Sequence, residues 1–233
     1  MLRNLFTYEG FVQFCLWIPV ILLSISFHEF AHGYIAYKLG DPTAKIEGRL
    51  SMNPLRHFNV LGFLMMVIVH FGWATPVPVN PNNFKNPSRG MLYTALAGPC
   101  ANMILALVGS LLYAVFSVFV FPIVTPTSSD FTVNLIINSA TILLYLTYMN
   151  IGLAFFNLIP IYPLDGSRIL GYFMPEQYHR FMMRYGQYVQ IAFVLLLVLT
   201  SVVGNIISAV QNAVAGAMID LWLIPINRIM SLF

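Results

Sequence analysis

Charge is what this chain has least of: Lys and Arg number 11, Asp and Glu 8, together 8% of 233 residues, against about 25% in soluble domains. That scarcity excludes a soluble globular protein. Eleven cations are also too few for a nucleic-acid binder, which must neutralise many phosphates. Cysteine is almost missing. Cys15 and Cys100 both fall inside apolar runs, so neither a disulfide framework nor a thiolate metal cluster can be built, and both are expected as buried structural thiols. Gly/Ser linkers, low-complexity tracts and internal repeats are absent too. Residues 1–233 are therefore expected to form one membrane-embedded domain, with a core over about 11–175 and two further spans within about 187–225.

What the chain has in excess is apolar surface: 59% of its side chains, with a mean hydropathy of +0.79. This composition excludes a disordered chain. A helix needs about 20 apolar residues to cross roughly 30 Å of hydrocarbon, and the stretches 11–37, 91–121, 134–160 and 187–203 qualify. The stretch 206–225 is long enough, although it holds Asn205 just before it and Gln211, Asn212 and Asp220 within it. The apolar run from Phe11 lacks a small-residue cleavage site and is expected as a retained span rather than a leader. The run 59–71 is too short to cross and fits a re-entrant or interfacial element.

Cation placement sets the topology, because Lys and Arg accumulate on the cytoplasmic side. If 59–71 does not cross, then Lys38, Lys45, Arg49, Arg56, Lys85, Arg89, Arg168, Arg180, Arg184 and Arg228 all lie inside. Only Arg3 and the cation-free loop 122–133 lie outside. If it crosses, that bias reverses. The expected fold is an all-α polytopic membrane protein with about five transmembrane helices, a short re-entrant β-hairpin or helical segment, and an outside N-terminus.

The chemistry lies in the first span. His28-Glu29-Phe30-Ala31-His32 is an HExxH pattern, in which residues i and i+4 share a helical face and can grip one zinc ion, leaving Glu29 free as a general base. Three ionisable side chains within five residues at membrane depth mark a functional site. A catalytic zinc usually takes three protein ligands and keeps one position open. Candidates for the third are Asp165, Asp220, His57, His70 and His179. Asp165 has the best geometry, because His28 lies about 26 Å along a helix entering from outside and Asp165 follows a span that also ends inside. Pro160 and Pro163 stop the preceding helix, and Gly166 is expected to permit an unusual turn.

These motifs, together with Gly98-Pro99 followed by Asn102, and Asn157-Leu-Ile-Pro160 before Asp165-Gly166, resemble the site-2 protease family of intramembrane zinc metalloproteases, peptidase family M50. The similarity is greatest to the compact prokaryotic branch without PDZ or CBS domains. Leu39-Gly-Asp-Pro-Thr-Ala, the Asn53-Pro54 to His57 segment and Phe71-Gly-Trp to Pro81 extend it over most of 20–175. The resemblance implies one Zn2+ per chain held by His28, His32 and Asp165, with Glu29 as catalytic base. It also implies cleavage of transmembrane protein substrates in the lipid bilayer of the cell membrane, near the cytoplasmic face. Asn157 matches a family asparagine beside the active site, where it would steady the oxyanion or substrate. Thr75 departs from the family, which often has Lys before the Pro-Val-Pro run.

Other features carry weaker expectations. Residues 45–52 alternate polar and apolar side chains, as an edge strand for substrate or an amphipathic loop would. Pro76, Pro78 and Pro81 favour an extended loop over 75–81. His57 is expected to be structural, and Asp220 to pair with Arg228 by snorkelling. Asn102 shares a helical face with Gly98 and is expected to shape the site rather than react. A non-hydrolytic zinc sensor or transporter, or a pseudoprotease, would use the same ligands. The lack of a second ionisable cluster and the presence of Glu29 count against these alternatives.

Overall fold

The computed structural model describes residues 7–69 and 72–231. In chain order its helices are α1 (Tyr8–Lys38), α2 (Thr43–Ile46), α3 (Val60–Val69), α4 (Pro87–Phe119), α5 (Asp130–Asn157), α6 (Asp165–Phe173), α7 (Pro175–Leu199) and α8 (Val202–Met230). Short 3-10 turns occur at Pro54–Arg56, Pro81–Asn83 and Phe121–Ile123. Five helices, α1, α4, α5, α7 and α8, are long and apolar enough to cross a membrane. They coincide with the five expected spans. The α7 helix begins earlier than expected because Pro175 sits in its first turn, where the missing N–H costs nothing.

The short run behaves as its length dictates. Ten residues of α3 rise only about 15 Å, half a hydrocarbon thickness. Asn59 Oδ1 accepts the Gly62 N–H at 2.8 Å at its start. The backbone of Trp73 lies so close over Gly62 that no Cβ would fit there. The β-hairpin half of the expectation is not supported: there is no strand among the described residues, and α3 is helical. His70 lies outside the described residues.

Of the two readings of residues 45–52, the edge strand is not supported, and beyond Ile46 the segment is a loop. Thr43–Ile46 form a helical turn, closed by Gly48 at φ +66°, a left-handed conformation that glycine adopts without strain. Ile46 is 79% exposed, so the alternation in sequence does not bury one face.

Apolar side chains fill much of the interior, but polar ones are buried among them and large apolar ones cover the outside. Ser24, Thr94, Asn102, Thr147 and Asn150 are fully buried, while Ile191, Val198 and Leu199 are more than half exposed. Lipid tolerates apolar surface but not unsatisfied polar groups. The contacts fall into two compact units, each discontinuous in sequence. In the first, made of 1–24, 103–152 and 209–233, Asn150 Nδ2 donates to Ser24 Oγ at 2.8 Å, Gln211 Nε2 to the Tyr148 carbonyl at 2.8 Å and Trp222 Nε1 to Ser110 Oγ at 3.1 Å. A Cβ on Gly109 would meet Thr147 Oγ1 at 2.8 Å, so a glycine lets α4 and α5 approach closely. The second unit, 25–102 and 153–208, holds the site described next.

Two expectations fail on this lipid-facing logic. Cys15 and Cys100 are exposed on their helices rather than buried, because apolar residues here point outward. Asp220 is exposed in α8 and makes no ion pair with Arg228.

Candidate metal centre

One face of α1 presents His28 and His32, four residues apart, and both side chains are buried. Their rings meet edge to face at 87°, with the two Nε2 atoms 2.9 Å apart. Asp165, the first residue of α6, brings Oδ2 to 3.2 Å from each Nε2. No other group of three His, Cys, Asp or Glu ligand atoms converges in this way among the described residues.

The turn before α6 explains how Asp165 arrives. Helix α5 ends at Asn157, and Pro160 and Pro163 prevent it from continuing. A Cβ on Gly166 would overlap the carbonyl oxygens of Leu158 and Ile159. Close packing therefore requires this glycine, and not the unusual backbone conformation expected for it; positive φ occurs at Gly40 and Gly48 instead.

Helix α4 supplies the second layer from a single stripe of residues at i, i+4 and i+8. His32 Nδ1–H donates to the Thr94 carbonyl at 2.6 Å, and His28 Nδ1–H donates to Asn102 Oδ1 at 2.5 Å. Gly98 lies between them, and a Cβ there would stand 2.5 Å from both Nε2 atoms. With each Nδ1 carrying the proton, each Nε2 presents a lone pair. Two lone pairs and a carboxylate oxygen repel one another unless a cation lies among them.

The residues fit zinc. A tetrahedral zinc with bonds near 2.0–2.1 Å sets its ligand atoms about 3.3 Å apart, and the observed edges are 2.9, 3.2 and 3.2 Å. Asp165 Oδ2 is buried and has no hydrogen-bond partner. The donor set of two imidazoles and one carboxylate also matches a catalytic rather than a structural site.

Glu29 lies outside this set. Its Oε2 accepts the Val77 N–H at 2.9 Å. Val77 belongs to an extended strap over residues 72–80 that crosses α1 one turn beyond Glu29, where a Cβ on Gly33 would press Val77 Cγ1 at 3.0 Å. Arg49 anchors the strap by donating from Nη2 to the carbonyls of Thr75 at 2.6 Å and Pro76 at 3.2 Å, and the Thr75 N–H donates to the His57 carbonyl. At its far end the buried Asp41 carboxylate accepts from Asn80 N–H, Asn83 Nδ2, Thr43 N–H and the Thr43 hydroxyl. Burial opposes its ionisation, but these bonds outweigh it and lower its pKa.

The remaining candidates do not join the cluster. Asn157 turns its amide back to the Leu153 carbonyl of its own helix at 2.9 Å. His57 is buried, and its Nε2–H donates to the Ser51 carbonyl at 2.7 Å, a structural contact. His179 donates from Nδ1 to the Pro175 carbonyl. Sequence reasoning gave Thr94, Arg49, Asp41 and Val77 no role at the site. Thr94 and Val77 contribute backbone groups, which side-chain identity does not reveal. Arg49 and Asp41 had a signal: a basic and an acidic residue flanking the span that bears the histidines.

Comparison with known proteins identifies the family. Residues 16–200 match the family description Peptidase family M50. The chain is 34% identical over 181 residues to "Putative zinc metalloprotease YwhC" of Bacillus subtilis, covering 78% of this chain and 79% of that protein. It is 33% identical over 97 residues to "Putative zinc metalloprotease Rip2" of Mycolicibacterium smegmatis, covering 40% and 38%. To "Zinc metalloprotease MJ0392" of Methanocaldococcus jannaschii it is 28% identical over 159 residues, 68% of this chain but 34% of that protein. No solved structure matches. With its five membrane-length helices and a buried centre suited to zinc, the chain belongs to peptidase family M50, as a multi-pass membrane zinc metalloprotease.

Proposed function

We propose that this chain is an intramembrane endopeptidase that hydrolyses peptide bonds within transmembrane segments of other membrane proteins, the reaction of regulated intramembrane proteolysis. The observation that carries the reading is the convergence of His28 Nε2, His32 Nε2 and Asp165 Oδ2, with a carboxylate, Glu29, left outside the set. One zinc per chain is assigned to these three residues; bound there, it supplies a Lewis acid that acidifies water and polarises a carbonyl. Glu29 is the general base, taking the proton of the attacking water and returning it to the leaving amine. Since Oε2 is engaged by Val77, Oε1 is the oxygen free for that transfer. Asn102 is a positioning residue for the His28 ring. Asn157 is assigned to the substrate or oxyanion, which requires its amide to turn away from Leu153.

A membrane helix hides its carbonyls in its own hydrogen bonds, so substrate must unwind locally before attack. The cation distribution supports a centre near the cytoplasmic face of the cell membrane, with the N-terminus outside. The whole of 1–233 is read as the protease domain. The test is cleavage of a panel of single-span reporters in reconstituted membranes. Wild type should cut, Glu29→Gln should not while retaining its zinc, and a chelator should stop the wild type. Zinc retained without any cleavage across a wide panel would move the assignment to a zinc sensor or pseudoprotease.

A further inference from the structure

Beyond the metal centre, the second unit contains a cavity of about 750 Å3, within the range of small-molecule sites. It is walled by the start of α4, by Tyr162 in the turn before α6, by α6 from Ser167 to Tyr172, and by α7 as far as Gln190. Its surface is amphiphilic. Met182, Met183 and the rings of Tyr172 and Tyr178 give an apolar lining, and Arg168 brings a full positive charge. No Asp or Glu lines it. The Arg168 guanidinium has no hydrogen-bond or ion-pair partner among the described residues, unlike Arg180, which pairs with Glu176 at 3.7 Å. Ser88 in the first turn of α4 and Ser167 in the first turn of α6 also line the cavity, so two helix N-termini add positive potential to that of Arg168.

We infer that this cavity binds an anionic phospholipid, with its phosphate on Arg168 and its glycerol and upper acyl carbons against the methionines and tyrosines. Charge complementarity calls for an anion, and the apolar lining calls for that anion to carry hydrocarbon. Position favours lipid: α4 and α7 both enter the membrane at this end, flanked by Lys85, Arg89, Arg180 and Arg184, the pattern of a headgroup-level basic pocket between membrane helices. An extended peptide would need a row of unpaired backbone groups to pair with, but apart from Tyr162 the walls are helices, whose backbone groups beyond the first turns bond internally. The occupant would sit one helical turn from the metal cluster, since Arg168 follows Asp165 by three residues.

The test uses the full chain in membranes of phosphatidylcholine with phosphatidylglycerol, with retained lipid read by native mass spectrometry after extraction. Phosphatidylglycerol should be enriched over its bulk share. Arg168→Gln should cut that enrichment about fivefold, the effect of one basic residue near an anionic surface, and Arg168→Lys should keep most of it. Met182→Trp, which fills the cavity without changing charge, should lower retention of both lipids. Equal enrichment in Arg168→Gln, retention in the bulk ratio, or unchanged retention in Met182→Trp would overturn the proposal. So would displacement of the lipid by a soluble acidic peptide, which would mark a peptide site.

Discussion

Asn102 and Gly98 act on the same two rings in opposite ways, one by what it offers and one by what it omits. Asn102→Ala removes the acceptor for His28 Nδ1–H and is expected to weaken zinc binding by about 10–100-fold, as loss of an outer-shell partner does. Asn102→Asp keeps an acceptor and should recover much of it; competition with a chromogenic chelator measures both. Gly98→Ala puts a methyl 2.5 Å from both Nε2 atoms, and purified protein should contain far less than stoichiometric zinc by elemental analysis. Normal zinc content in that variant would show that α4 can retreat. At this scale the sequence was most legible where a side chain acts alone: HExxH needed only spacing and scarcity, and Asp165 needed in addition the topology that ends two spans on one side. It was least legible where backbone acts, as with the Thr94 carbonyl. Gly166 was recognised, but its reason is the carbonyls of Leu158 and Ile159 pressing on it, which only packing reveals.

Between residue and molecule, the strap 72–80 is the element that decides how Glu29 is held. Arg49→Ala frees its Thr75 and Pro76 carbonyls and should lower kcat about 10–100-fold, the scale of a small misplacement of a catalytic group. Zinc content should stay unchanged and Arg49→Lys should restore part of the rate; equal rates in wild type and Arg49→Ala would remove the strap from the mechanism. Asp41 anchors the other end. Its folded pKa is lowered, so its contribution to stability is complete above the unfolded value near 3.9 and is lost as pH falls through the folded value. Asp41→Asn should cost about 1.5–3 kcal/mol at neutral pH, the range for hydrogen bonds to a charged group. It should also flatten the acid limb of a melting-temperature profile below about pH 4. Sequence reading found the proline-punctuated loop but not what it touches. It also proposed 45–52 as a possible strand, because alternation predicts a two-sided surface only when one side is covered, and Ile46 is not.

For the molecule as a whole, the five spans were legible because length and apolar content are all that the bilayer asks of a helix. Which face turns inward was not, since lipid and core are both apolar; Cys15 and Cys100 show this by pointing out. An arginine at an outward position such as Ile191, 51% exposed, should raise the cost of insertion by about 2.5–3.5 kcal/mol if mid-membrane, read as reduced integration in a glycosylation-reporter assay. Topology can be checked with cysteines placed in a Cys15→Ala, Cys100→Ala background. In intact cells an impermeant maleimide should label Thr127→Cys from outside and leave Lys85→Cys unlabelled until the membrane is opened. The reverse pattern would place the centre at the opposite face.

The bond from Val77 to Glu29 is made by a main-chain N–H, and that changes how the protein can vary. Nineteen of the twenty genetically encoded residues would present the same donor at position 77, so the hydrogen bond itself leaves no trace in side-chain identity, and what restricts the position is the packing of buried Val77 against Gly33. Proline alone deletes it, and the neighbouring Pro76 and Pro78 show that this stretch already tolerates the ring. Val77→Pro is thus the one single-residue replacement that silences this donor, whereas other small apolar residues that fit against Gly33 keep Glu29 tethered.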